Sequence, residues 1–206
     1  MSDYGFKKGD GGKATPIVIT KDNAIARGRF INKVEYRRTD KAEFLTIEVR
    51  DGAGNTARKS YFPPIIGKGF IKNKEDQEKE ITKLNRVIKN LTTVFLGKDY
   101  ETGPVSSFEG FCNKVIADLG KVYYNRELRV KLVYDKQNRP TLPTYPPTFE
   151  DPTLISDNDT KLVITQWDKV EATEVVMDTD KTPEIELKGT TDTIAEQKKD
   201  EDDLPF

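Results

Sequence analysis

Histidine is absent from all 206 residues, and cysteine occurs once, at Cys112. Without histidine there can be no Ser-His-Asp triad, no imidazole acid–base catalysis and no histidine-bearing zinc site. One cysteine excludes an internal disulfide and, with no histidine, a structural zinc site. It also agrees with a reducing compartment, so a cytoplasmic location is expected. No stretch approaches the roughly 18 apolar residues of a membrane span, and no membrane contact is expected. The N-terminus, MSDYGFKKGDGGKATP, has no apolar signal core, so no secretory leader is expected. Glycine-rich phosphate loops are missing too, since neither DGGKAT nor GKGF has the G-x-x-x-x-G-K-[ST] spacing. No cofactor and no catalytic constellation are expected.

What is present is charge, and it is unevenly distributed. Charged residues make up 33% of the chain and apolar ones 35%, with a net charge of −1. Residues 1–139 hold 28 Lys and Arg against 18 Asp and Glu, whereas residues 140–206 hold 6 against 17. A body with ten excess cations thus precedes an end with eleven excess anions. Such asymmetry points to nucleic-acid contact rather than to fold.

Hydrophobic periodicity divides the chain further. Residues 1–14 are Gly- and Lys-rich and expected to be flexible. ARGRFINKVEYRR (26–38) reads as a strand, and EFLTIEVRDGAGNTARKSYFPP (43–64) as a hairpin turning at DGAGN. In the hairpin Leu45, Ile47 and Val49 alternate onto one face, and Phe44, Thr46, Glu48 and Arg50 onto the other. Pro63 and Pro64 end the return strand. The apolar stripe Ile81, Leu84, Ile88, Leu91 and Phe95 predicts a first helix, capped by Asn73 and stopped at Gly97. SSFEGFCNKVIADLG predicts a second, with Ser106 and Glu109 at capping-box spacing and Gly120 at its end. Its buried face is Phe108, Phe111, Cys112, Val115, Ile116 and Leu119, with Cys112 as a small core residue.

Another strand follows, with Leu128, Val130 and Leu132 inward and Arg129 and Lys131 outward. Residues 139–153 carry five prolines and read as an extended loop. KLVITQW (161–167) reads as a last strand. Residues 178–199 are acidic, Thr-rich and expected to be a disordered linker. Helices set between β segments without βαβ alternation predict an α+β fold. The expected form is an OB-fold-like small antiparallel β-barrel over residues 15–177, with helices inserted at about 74–120 and a disordered acidic C-terminal tail.

Single-stranded nucleic acid asks a surface for cations that track phosphates and rings that stack on unpaired bases. Both are interleaved on the predicted strands. The cationic candidates are Arg27, Arg29, Arg37, Arg38, Arg50, Arg58, Lys59, Arg126, Arg129 and Lys131. Phe44, Tyr61, Tyr123 and Tyr124 are the candidate stacking rings, with Phe30, Tyr36 and Phe62 on the same strands. Tyr61 and Phe62 point to opposite faces, so one of them at most stacks. Phe44 is the leading platform, because its face lies opposite Leu45, Ile47 and Val49. The close carboxylates Asp157 and Asp159 have metal-ligand chemistry, but no glycine or bidentate glutamate follows at EF-hand spacing, and a polar turn is the simpler reading.

The chain ends in KKDEDDLPF. Asp200, Glu201, Asp202 and Asp203 run into Leu204, Pro205 and Phe206. Leu204 and Phe206, two apart on an extended chain, project to one side, and Pro205 holds that form. Such a tip suits a basic surface with an apolar socket on a partner protein. It resembles the acidic tip of bacterial single-stranded DNA-binding proteins, whose tails end Asp-Asp-Asp-Ile-Pro-Phe. That resemblance covers residues 200–206 and the general layout of basic β-rich body, linker and acidic tip. It implies an OB-fold core that binds single-stranded DNA without sequence preference, and a tip that recruits replication, recombination and repair proteins. The linker here is Thr/Asp/Glu/Lys-rich rather than Gly/Gln-rich, and the helical insertion is extra, which points to a divergent phage-encoded member in the host cytoplasm. A homo-oligomer is compatible with this family, but the bacterial tetramer is not carried over. Alternatives are an adaptor that mimics the tip without binding nucleic acid, a recombination annealing or loading factor, and, least favoured, a metal-dependent nuclease.

Overall fold

The computed structural model describes residues 15–172. The N-terminal segment 1–14, the linker and the tip at 200–206 lie outside the described residues.

Three consecutive strands form an antiparallel meander: β1 (Ile25–Arg38), β2 (Glu43–Asp51) and β3 (Thr56–Tyr61). The β2–β3 turn is tied by Asp51, whose Oδ1 accepts from the Ala53 and Asn55 amides at 3.0 and 2.9 Å. Leu45, Ile47 and Val49 are fully buried, as their alternation requires. Two helices follow, α1 (Lys74–Leu96) and α2 (Phe108–Leu119). The chain then returns as β4 (Leu128–Lys131) beside β1, β5 (Val133–Tyr134), β6 (Pro140–Thr141) and β7 (Phe149–Glu150). The sheet order is β3-β2-β1-β4-β7, and β5 pairs with β6 as a separate ribbon. This is an α+β fold on an antiparallel sheet. The expected barrel is not closed among the described residues: β6 reaches β3 through Thr141 Oγ1, which donates to the Arg58 carbonyl at 2.8 Å, rather than through a ladder.

The helices cover the inner face of the sheet. The α1 N-cap is Asn73, which accepts from the Asp76 amide at 2.9 Å, and Gly97 ends the helix. Leu84, Ile88, Leu91 and Phe95 enter the core as their stripe predicts. Ile81 does not: it stays exposed one turn too early, while Val87 and Thr92 fill the remaining core positions. The α2 cap is Ser107, not Ser106, because Ser107 Oγ accepts the Gly110 amide at 3.0 Å. Glu109 is thereby freed from a capping box and faces Arg38 at 3.6 Å. Cys112 is fully buried, and burial pushes its thiol up to about 12, which suits a core residue. Asn90 of α1 clamps β7: its Oδ1 accepts from Thr148 N (2.8 Å) and Phe149 N (2.9 Å), and its Nδ2 donates to Phe149 O (3.1 Å).

The C-terminal third departs most from the strand pattern. Residues 139–153 are not all loop, since they contain β6 and β7. KLVITQW is not a strand. Its backbone turns at Thr165–Asp168, and Asp168 Oδ2 takes the Thr165 amide at 2.8 Å. Arg129 and Lys131 are not outward-facing cations, because the segment 150–168 lies over that side of β4 and buries both.

Candidate nucleic-acid interface

Residues directly opposite in an antiparallel pair share a face. Register therefore lays out the outer side of β1–β2–β3. Phe44 is opposite Arg37, Thr46 is opposite Glu35 and Ser60, Glu48 is opposite Lys33 and Arg58, and Arg50 is opposite Phe30 and Thr56. Along β2 this surface extends roughly 20 Å, six steps at about 3.3 Å each. Rings stand at both ends. The Arg50 guanidinium lies 4.7 Å over the Phe30 ring, and Phe44 meets Phe62 at 5.6 Å between centroids. Phe62 is 57% exposed and Phe44 is half-buried, so this pair lies at the surface and not in the core.

Between the rings cations outnumber carboxylates. Glu35 is shared by Lys33 at 2.7 Å and Arg37 at 2.5 Å, and the Lys33 hydrogen bond leads in holding its carboxyl below the usual range. Glu48 accepts from Asn32 Nδ2 at 2.5 Å. Among the described residues Arg58 is exposed and makes no ion pair, and neither does Arg50, which besides the Phe30 ring reaches Asn125 Oδ1 at 3.4 Å. Arg37, Phe44, Arg50 and Arg58 are thus brought together on one open surface. Tyr124 stands exposed next to Asn125, its ring 4.8 Å from Tyr123.

Most of the other candidates lie elsewhere. Arg29 is 3% exposed and plugs the core side, donating to the Val130 carbonyl at 2.7 Å and to the carbonyls of Ala24 and Asn23; burial lowers it to about 10. Lys59 and Tyr61 are on the inner face, opposite Ile47 and Leu45. Lys59 donates to the Leu142 carbonyl at 3.1 Å and to Thr144 Oγ1 at 3.0 Å, and burial lowers it to about 8. Tyr123 packs edge-on against Phe95 in the core. Arg126 pairs with buried Asp151 and lies 5.5 Å over Phe95. Arg129 pairs with Glu150 at 2.9 Å and with Asp157, and Lys131 with Asp168 at 3.1 Å. Arg27 is exposed but paired with Asp157 at 2.8 Å. Arg27, Arg126, Arg129 and Lys131 hold the 150–168 segment on the sheet, and their charge is already compensated.

Asp157 therefore sits between two guanidiniums. Burial opposes its ionisation, yet Arg129 and Arg27 hold its carboxyl below the usual range. Asp159 takes the Ser156 hydroxyl at 2.5 Å. Among the described residues no cluster of three or more potential metal ligands occurs, and no helix is long and apolar enough to cross a membrane.

Sequence reasoning carries Phe62 only as the alternative to Tyr61 and names Phe30 on its strand without assigning it a face; the structure puts both rings on the outer side. The hairpin register places Phe62 beside Phe44, a step legible from the turn. Phe30 is turned outward by a β-bulge between Ile31 and Lys33, which alternation alone does not reveal.

Beside Phe62, where β3 ends, lies a groove of about 970 Å³ that reaches in to Lys59 and Tyr61 of the inner face. Its walls are the β1–β2 turn, the 62–71 loop and the first half of α1. Arg38, Lys41, Lys68, Lys79 and Lys83 line it with Lys59, against Asp40, Glu43, Asp76 and Glu80. A second recess of about 910 Å³, between α1 and α2, has Lys89 beside Glu43 and Glu101 and lacks the charge to hold phosphate.

No family model, curated protein or solved structure matches the chain.

Proposed function

We propose that the chain is a non-enzymatic protein that binds single-stranded nucleic acid without strong sequence preference. More narrowly, we read it as a divergent, phage-encoded relative of the bacterial single-stranded DNA-binding proteins, with DNA as its ligand. The observation that carries the reading is the outer face of β1–β2–β3, with Phe44–Phe62 at one end, Phe30 at the other and Arg37, Arg50 and Arg58 between. Rings accept any base and cations any phosphate, so such a face needs no base-edge readout.

The connectivity supports an OB-like, partly open barrel. A three-stranded meander precedes the helices, and β4 returns beside β1. The ribbon β5–β6 then brings Thr141 and Leu142 against β3. In this reading the tip at 200–206 docks on replication, recombination or repair proteins, and the acidic end competes with DNA for the basic body at high effective concentration.

Titration with dT oligomers across a salt series tests the proposal. Log affinity is expected to fall linearly with log salt, by about 0.7 per phosphate contacted. A flat response, or no binding to a dT 40-mer at low salt, sinks it and favours the tip-mimicking adaptor. Deleting residues 200–206 is expected to raise dT affinity at low salt and abolish partner capture. If both stay unchanged, the tail assignment is wrong.

A further inference from the structure

The loop joining β3 to α1, FPPIIGKGF (62–70), is built unlike a solvent connection. Its tip is closed by backbone hydrogen bonds: Gly67 N donates to Ile71 O at 2.8 Å, Lys68 N to Ile65 O at 3.1 Å and Ile71 N to Lys68 O at 3.2 Å. Gly67 and Gly69 take positive φ, 87° and 61°, which lets the turn double back on itself. At the loop's base, Pro64 O accepts from Gln77 of α1 at 2.8 Å. The loop is therefore held in shape, and it displays Phe70 at 96% exposure, two residues from Lys68. Lys68 makes no ion pair among the described residues, and neither does Lys41 on the opposite wall of the groove. Phe62, Ile65 and Ile66 of the same loop are exposed with it, and a cluster of exposed apolar side chains, unlike a lone one, marks an interaction surface.

We propose that this groove continues the single-strand track, so that a polynucleotide leaving the outer face at Phe62 passes between the 65–71 loop and the β1–β2 turn. Phe70 stacks on a base there, and Lys68 and Lys41 take phosphates. Three features carry the inference. Phe62 lines the groove and also packs at a tilt against Phe44, so this ring borders both surfaces. The groove's cations exceed its carboxylates, six to four, and although Arg38, Lys79 and Lys83 pair with Glu109, Glu75 and Glu80, Lys41 and Lys68 stay without an ion pair among the described residues and suit a polyanion. Of the groove's carboxylates, Asp76 is engaged by the Lys72 amide and Glu80 by Lys83, at 3.0 and 2.5 Å. This inference rests on the proposed function and lengthens its footprint beyond the order of four nucleotides that the outer face alone accommodates.

The experiment compares labelled dT4 and dT12 binding to the full chain and to its Phe70→Ala and Lys68→Gln variants. Phe70→Ala is expected to weaken dT12 roughly 5- to 150-fold, the effect of losing one stacked base, and to leave dT4 unchanged. Lys68→Gln is expected to lower the dT12 salt slope by about 0.7. Both residues are exposed, so melting temperatures should match the parent. Equal weakening of dT4 and dT12 overturns the inference, because Phe70 would then belong to the primary track. If dT12 affinity is unchanged in Phe70→Ala while Phe44→Ala weakens it, the groove is overturned and the outer face stands. The groove is likewise overturned if dT12 is unaffected and Phe70→Ala instead reduces capture of a peptide of residues 200–206. Absence of dT binding by the parent protein overturns both readings.

Discussion

Replacing Phe44 and Phe62 together by alanine is expected to weaken dT12 binding roughly 5- to 150-fold while leaving the salt slope unchanged. The two rings meet at 5.6 Å and make one platform, so the loss corresponds to about one stacked base, worth ~1–3 kcal/mol. Neither ring carries charge, and the phosphate contacts of Arg37, Arg50 and Arg58 remain. An unchanged slope with lower affinity therefore separates stacking from counterion release. Because the pair lies outside the core, loss of stability should stay near the ~0.5–1.5 kcal/mol of one aromatic contact. The complementary variant, Arg58→Gln, should do the opposite, lowering the slope with little change at high salt. If the double variant binds as tightly as the parent, the outer face is not the base-stacking surface, whatever the cations do.

Glu150→Ala should be the most destabilising single change on the outer side of the sheet. Arg129 and Glu150 each keep only 4% of their side chains exposed. Glu150 also accepts from Thr160 Oγ1 at 2.7 Å and from the Lys161 amide at 2.6 Å. Removing it leaves the Lys161 amide and the Nη1 side of the Arg129 guanidinium without their buried acceptor, while Asp157 and the Ile155 carbonyl still hold Nη2. Breaking one side of a buried pair costs about 3–5 kcal/mol. For a chain of this size that lowers the melting temperature by roughly 6–20 °C in calorimetry. Glu150→Gln keeps an acceptor for the Lys161 amide and should lose less. A change within about 0.5 kcal/mol for Glu150→Ala would mean that the 150–168 segment is not anchored on β4 through this pair.

Helices and hairpin were the legible part of the fold. Asn73, Gly97 and Gly120 punctuate α1 and α2 because capping is local chemistry: a side chain or a glycine acts on backbone groups within one turn. The burial of Leu45, Ile47 and Val49 followed from a period of two. The candidate site was legible only in part. Arg37, Phe44, Arg50 and Arg58 share the outer face because they sit on a hairpin and its neighbour in register. Arg126, Arg129 and Lys131 carry the same residue chemistry, yet they are spent on Asp151, Glu150, Asp157 and Asp168, partners 25, 21, 28 and 37 residues away. Nothing within a strand's own pattern announces a cover that distant.

By itself, the sequence determined the chemistry that is missing, the basic body and acidic end, the helices, and which residues of β2 lie on the same side. Tertiary structure decided which of two equivalent-looking sides stays open, and which cations remain free on it. The bulge at Asn32 shows the reason. Above it β1 pairs with β2 in one register, below it in another, so Phe30 turns outward to Arg50 and Arg29 turns inward to the Val130 carbonyl. Alternation states only that neighbours face opposite ways. One inserted residue exchanges the two faces, and only packing against a core and a covering segment selects between them.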